Sequence, residues 1–298
     1  MTKIWGIDIS TWQRGYPYAK AKKEGVKFAI LRAGFSETKD NMFETHYKNA
    51  KAQGWGVGAY WYTYAKTVSQ ANREAKAFIK AIKGKKFEYP IYLDIEDKSI
   101  RKAGRTTLNN IVKEFNKVIN GAGYYFGVYS NVDWYRNVIS GSTLNKSYDW
   151  WIASWTSTKP SGVNAGLWQF GGSSNAIRSP RVAGVVTDQN YAYKDYPAIM
   201  KNKGLNGYGK TPVKPKNKYT GIFPTLPKRG YFFKGDKGQQ VKYLQMFLNW
   251  ALDTKLVVDG ILGDKTFLAI KQFQNKVNIT IDGLFGKVSL AKAKSFAK

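Results

Sequence analysis

Cysteine is absent from the 298 residues, and His46 is the only histidine. Without thiols there is no disulfide, no thiol nucleophile and no Cys/His zinc cage, and no metal or cofactor site is expected. A Ser-His-Asp relay would have to run through His46 alone. Acids are scarce as well, with 20 Asp and Glu against 48 Lys and Arg, a formal balance of +28. No segment offers the roughly 20 consecutive apolar residues that span a bilayer, so no membrane insertion is expected. At the N-terminus a carboxylate, Asp8, interrupts the first apolar segment, unlike the core of a secretory signal. The expectation is a soluble protein without Sec export.

What is present narrows the chemistry further. With sulfur missing and imidazole nearly so, acid-base work falls to carboxylates. The excess of positive charge attracts polyanions, whether nucleic acid, anionic lipid or anionic cell wall. Residues 1–200 hold 29 basic and 15 acidic side chains, whereas residues 201–298 hold 19 and 5, so the C-terminal third is the more basic part.

Short β-rich segments recur at 4–9, 28–33, 57–63, 90–95, 124–129, 150–153, 167–170 and 184–188. Helical periodicity separates the early ones, most clearly at 69–82, where Ala71, Ala75, Phe78, Ile79 and Ile82 share a face. Later connections of about a dozen residues are close to the minimum for a crossover with a helix. The pattern predicts an α/β fold, an irregular TIM-like (β/α)5(β)3 barrel over 1–203 whose last three strands lack full helices, with the active site at the strands' C-terminal ends. A Gly/Pro/Lys-rich stretch over 204–229 reads as an extended linker. Amphipathic periodicity returns over 230–298 and predicts a small, mostly helical domain. There Asp259-Gly260-Ile261-Leu262-Gly263 is echoed by Asp282-Gly283-Leu284-Phe285-Gly286, which reads as a repeated tight turn, a bend and a helix start capped by a polar side chain.

Alternation along 90–97 puts Tyr92, Asp94 and Glu96 on one face and Ile91, Leu93 and Ile95 on the other. Two carboxylates that share a face resist ionising together, so one keeps a proton towards neutral pH, as a general acid must. Asp8 ends the first strand and Asp188 the eighth, and barrel closure makes those strands neighbours. Four carboxylates are therefore expected at one mouth. Tyr60 and Tyr62 alternate onto one face with Tyr64, and Tyr62 and Tyr129 are candidates for lining the cleft. Arg32 is expected to order the carboxylates from inside the barrel, and His46 to be a solvated surface residue of a helix over 41–53.

These residues carry a resemblance. Gly6-Ile7-Asp8-Ile9-Ser10, Phe28-Ala29-Ile30-Leu31-Arg32-Ala33-Gly34, Gly58-Ala59-Tyr60-Trp61-Tyr62, Tyr92-Leu93-Asp94-Ile95-Glu96, Gly127-Val128-Tyr129-Ser130, Trp151-Ile152-Ala153, Leu167-Trp168-Gln169-Phe170 and Asp188-Gln189-Asn190, in that order, resemble the glycoside hydrolase family 25 muramidases of phages, bacteria and fungi. The resemblance implies hydrolysis of the β-1,4 bond from N-acetylmuramic acid to N-acetylglucosamine in peptidoglycan. Carried over, Glu96 becomes the proton donor, Asp94 orients the substrate or modulates Glu96, and Asp8 and Asp188 shape the field or position water and sugar. Tyr60, Tyr62, Tyr129, Arg32, Trp151 and Gln169 become substrate-binding residues. A retaining pair about 5 to 5.5 Å apart, an inverting pair about 6.5 to 9.5 Å apart and a nucleophile supplied by the substrate's acetamido group all remain open.

Residues 230–298 resemble the type 1 peptidoglycan-binding domain, on Lys237-Gly238-Gln239-Gln240-Val241, Leu244-Gln245, Asp259-Gly260, Phe273-Gln274 and Asp282-Gly283. Such a module implies tethering to the wall, with teichoic acids and anionic peptide stems as partners for the basic charge. The alternative is a non-catalytic wall-binding protein on the same fold. The basic residues are dispersed rather than gathered in a recognition helix, so specific nucleic-acid binding is not expected. Storage in a host cytoplasm before release to the wall is expected, and nothing demands an oligomer.

Overall fold

Eight strands close into a barrel: β1 (Ile4–Ile9), β2 (Phe28–Phe35), β3 (Gly56–Tyr62), β4 (Ile91–Asp94), β5 (Phe126–Asn131), β6 (Asp149–Ala153), β7 (Leu167–Gly171) and β8 (Asp188–Ala192). They are seen in a computed structural model that describes residues 3–145, 147–209, 218–277 and 279–297. Each strand pairs with the next in sequence, and β1 closes the ring by pairing in parallel with β2 and antiparallel with β8. Residues 1–211 form one compact unit and residues 212–298 another.

Alternation sorts the barrel side chains into two sets. Ile7, Leu31, Trp61, Ile91, Leu93, Val128 and Ile152 point outwards, into a cluster with Ala71, Phe78, Leu108, Ile111 and Phe115 from the covering helices. Phe28, Ile30, Tyr60, Tyr92, Tyr129, Trp151 and Leu167 fill the interior. Aromatics fit there because glycines face them: a Cβ on Gly6 would meet the Phe28 ring at 2.4 Å, and one on Gly127 the Tyr92 ring at 2.4 Å. Towards the C-terminal ends of the parallel strands the inward set turns polar, from Gly6 to Asp8, Ile30 to Arg32, Tyr92 to Asp94 and Leu167 to Gln169. A packed floor and a polar mouth follow from that gradient.

Four helices cover the barrel: α1 (Tyr18–Lys23), α2 (Phe43–Ala52), α3 (Val68–Ile82) and α4 (Arg105–Gly121). A capping box between Thr67 and Gln70 starts α3. After β5 the helical connection shortens to a π-helical turn, Trp134–Val138, and a four-residue helix, Gly141–Leu144. The last strand, unexpectedly, is followed by a helix, α5 (Tyr196–Lys203).

The eighth strand was expected at 184–188, and the structure places it at Asp188–Ala192. Val182, Val185 and Val186 carry the β-branched signal, but they form a two-rung hairpin beside the barrel. Because β8 runs antiparallel to β1 and β7, its first residue, not its last, lies at the functional rim, and Asp188 pairs in register with Asp8. His46 also departs from expectation. It is fully buried on α2, its ring hydrogen-bonded to the Tyr18 hydroxyl at 2.6 Å and to the Ser10 carbonyl at 2.8 Å, and burial lowers its pKa. Two partners on the two ring nitrogens let a neutral imidazole sit in the core.

The second unit is built from α6 (Gln239–Leu252), α7 (Asp264–Lys276), α8 (Lys287–Phe296) and a two-residue pairing of Tyr231–Phe232 with Phe285–Gly286. Val241, Leu244, Phe247, Ile270, Phe273 and Phe285 form its core. The sequence echo is a structural repeat. Gln245 accepts from the Gly260 N–H and donates to Asp259 and to the Ile261 carbonyl. Gln274 does the same with Gly283, Asp282 and Leu284. Gly260 and Gly283 sit at φ +78° and +79°, conformations that L side chains rarely adopt. The expected side-chain caps are absent: Gly263 and Gly286 themselves occupy the N-cap positions of α7 and α8.

The stretch over 204–229 is not a free linker at either described end. Asn206 is buried against the first unit, bonded to the Tyr125 N–H and the Tyr89 carbonyl. Tyr219, Phe223 and Leu226 pack on the core of the second. Residues 210–217 lie outside the described residues. Glycine, proline and lysine drew attention there, while the interspersed aromatic and amide side chains decide where the chain docks.

Candidate active site

The polar mouth of the barrel holds a cavity of about 210 Å3. Asp8, Asp94, Glu96 and Asp188 line it together with Arg32, Tyr60, Tyr62, Tyr129, Trp151 and Gln169, the residues expected at the site from the sequence. The four acids come from β1, β4, the turn after β4 and the start of β8. Tyr64, which alternates onto the same face as Tyr62, is 42% exposed and packs its ring at a tilt against Tyr62 instead of lining the cavity.

Asp8 is held by a chain of amides and indoles. Trp151 donates its indole N–H to Asn190 Oδ1 at 2.7 Å, and Asn190 Nδ2 donates to Asp8 Oδ2 at 2.7 Å. Gln169 Nε2 donates to the same oxygen at 3.0 Å, while its Oε1 accepts from the Tyr129 hydroxyl and the Trp155 indole, each at 3.1 Å. An indole N–H only donates, so both amides must turn their NH2 groups to Asp8.

This asymmetry separates the acids. Burial raises Asp8 to about 6, against the two amide donors that favour its charged form. Asp188 goes up to about 8, because burial and the negative charges of Asp8 and Glu96 act on it together. A Cβ on Gly172 would lie 2.0 Å from Asp188 Oδ1, so glycine there admits the carboxylate to its place beside Asp8. Asp94 is raised well above the ordinary range by burial and then by Glu96 and Asp8, with Arg32 opposing. Its Oδ1 is buried without a hydrogen-bond partner. Glu96 is less enclosed and is also raised, chiefly by burial, with Asn131 donating to Oε2 at 3.3 Å. Asp188, at about 8, keeps its proton at neutral pH, and burial pushes Asp94 in the same direction, whereas Asp8 has two amide donors that favour its anion.

Arg32 is anchored by Asp40, Nε to Oδ2 at 2.8 Å, so it reaches the acids through its charge on Asp94. Asp97 faces away from catalysis, capping the turn at Ser99 and accepting from the Tyr62 hydroxyl at 2.9 Å. Several cavity residues were not singled out. Ser10 and Gln13 form a capping box around the single turn Thr11–Gln13, which sets Trp12 at the mouth with 80% of its surface exposed. A tryptophan four residues beyond Asp8 was a visible signal. Trp155 offered none, and Asn190, although it belongs to the Asp188-Gln189-Asn190 motif, gave no sign of its bonds, since both depend on partners distant in sequence.

The chain matches glycosyl hydrolases family 25 over residues 7–177, more than half its length, and the peptidoglycan binding domain family over residues 237–292. It is 25% identical over 284 residues to the autolytic lysozyme of Clostridium acetobutylicum, covering 94% of this chain and 76% of that protein. The bacterial lysozyme from Streptomyces coelicolor shares the fold with a TM-score of 0.57 at 22% identity, over 70% of this chain and 98% of that one. The modular autolysin LytC from Streptococcus pneumoniae superposes with a TM-score of 0.56 at 25% identity, over 64% of this chain and 47% of its own. With its barrel, its rim of acids and its matched length, the chain belongs to glycosyl hydrolases family 25, and C-terminal to the barrel in sequence it carries the match to the peptidoglycan binding domain family.

Proposed function

We propose that the barrel hydrolyses the β-1,4 bond between N-acetylmuramic acid and N-acetylglucosamine in peptidoglycan, with Glu96 as the general acid. The observation that carries this reading is the convergence of four acids with raised pKa values on one cavity. Asn131 engages Oε2 of Glu96 and leaves Oε1 to carry the proton. That proton passes to the glycosidic oxygen as its bond to the anomeric carbon breaks, and water then supplies the oxygen that bonds to that carbon and the proton that restores the acid. Asp8, kept anionic by Gln169 and Asn190, opposes the positive charge growing on the sugar ring. Asp94, a neutral acid with a free oxygen, serves as hydrogen-bond donor to the substrate's N-acetyl group. Asp188 carries the proton that lets Asp8 stay charged. Trp12 and Tyr62, the more accessible rings of the cavity, supply faces for the sugars.

The C-terminal domain holds the enzyme on the wall and raises the local concentration of substrate. The charge of +28 serves adsorption to anionic wall polymers, an attraction that salt weakens. On this reading the protein acts at the bacterial wall after release from the cell that makes it, as an endolysin does. The test is Glu96→Gln on purified walls: lysis is lost while the folded variant still sediments with the wall. Full lysis by that variant would sink the assignment.

A further inference from the structure

A second cavity, of about 280 Å3, opens on the same rim, where the ends of β2 and β3 meet the start of α3. Glu37, Tyr64, Lys66, Arg73 and Glu74 are among the residues lining it. The Tyr64 ring packs at a tilt against Tyr62, with centroids 5.1 Å apart, and Tyr62 lines the catalytic cavity, so this pair of rings connects the two.

Glu74 is the anomaly. It lies on the buried face of α3 and is only 3% exposed. Oε1 accepts the Tyr64 N–H at 3.3 Å, but Oε2 is buried with no hydrogen-bond partner. Burial pushes the group up to about 7. A carboxyl so enclosed is stable as a neutral acid, or as an anion once a cation meets it. Around it the lining carries both signs. Arg73 Nε pairs with Glu37 Oε1 at 2.8 Å, each side chain about half exposed, and Lys66 lies close enough to lower the Asp97 pKa.

We propose that this cavity is a subsite for the zwitterionic peptide stem that branches from muramic acid, its ammonium meeting Glu74 and Glu37 and its carboxylate meeting Arg73 and Lys66. The inference rests on the muramidase reading and gives it a substrate preference. The stem leaves the sugar whose bond is cut next door, and at about 3.3 to 3.6 Å per extended residue a few residues reach across one tyrosine pair. An ammonium supplies the partner that Glu74 Oε2 lacks, and the guanidinium fork suits a carboxylate. The Glu37–Arg73 pair opens at small cost because it is solvated.

The experiment compares soluble glycan strands bearing stems with the same strands stripped of stems by an N-acetylmuramoyl amidase. Glu74→Gln, Arg73→Gln and Lys66→Gln are each expected to raise KM on stem-bearing strands by about fivefold, the value of one partly solvated ionic contact, and to leave KM on stripped strands unchanged. Equal changes on both substrates, or none on either, would overturn the subsite alone. A wild-type protein that releases no new reducing ends from either substrate overturns the muramidase reading and the subsite with it. Arg73 and Lys66 are exposed, so their variants keep the test decisive if Glu74→Gln fails to fold.

Discussion

Buried polar groups are treated in opposite ways by the two units. In the C-terminal unit Gln245 and Gln274 each hold an Asp-Gly turn with both ends of the amide engaged, and the pattern is made twice. At the barrel rim four acids crowd one cavity, Asp94 Oδ1 has no partner, and pKa values are driven upwards. The contrast separates roles. Satisfied polar groups specify a shape, whereas unsatisfied ones store free energy that a substrate can release. The rim is therefore expected to gain stability when its acids are removed, and the glutamine clamps to lose it.

The largest expected break is Glu96→Gln, which should lower kcat by about 10^2 to 10^4, the usual worth of a general acid, without lowering Tm. Next comes Gln245→Leu. It strands the buried Gly260 N–H and should destabilise the C-terminal unit by about 1 to 3 kcal/mol, read by calorimetry, while hydrolysis of soluble glycan fragments persists. Asn190→Ala removes one of the two donors to Asp8 and should lower kcat/KM about tenfold, a loss of about 1.4 kcal/mol. The same change should move the acid limb of the pH profile upwards, since Asp8 then ionises less readily, and a merely structural role for Asn190 would leave that limb in place.

The smallest and most diagnostic effect concerns Asp188. Its folded pKa of about 8 lies above the ordinary 3.8, so the folded protein binds more protons than the unfolded chain between those values. Stability therefore falls as pH rises from about 4 towards 8. Asp188→Asn should abolish that loss, raising Tm at pH 8 by about 2 to 4 °C with little change at pH 3.5 and with reduced activity. Differential scanning at the two pH values checks the sign.

Much of this was legible before folding. Alternation alone placed Tyr92, Asp94 and Glu96 inwards and Ile91, Leu93 and Ile95 outwards, because a strand's period of two is local. Asp188 reached its predicted neighbour for a different reason, a reversed strand, since Asn190 and Tyr191 carry no β signal comparable to that of Val185 and Val186. The burial of His46 and the chain from Trp151 through Asn190 to Asp8 could not be seen, as each depends on partners tens to hundreds of residues away. Asparagine reads as a turn former in isolation, yet in a barrel interior it is a precise donor. The repeat of the C-terminal unit was visible through its turns, and Gln245 and Gln274 through the family resemblance, but not the bonds by which those glutamines, on the preceding helices, hold the turns.

The most direct test is the identity of the sugar at the ends released from peptidoglycan, reduced after digestion and read by mass spectrometry, for the wild type and Glu96→Gln side by side. The account predicts reduced muramic acid ends from the wild type and none above background from the variant. Reduced glucosamine ends, or muramic acid ends released equally by both proteins, would contradict it.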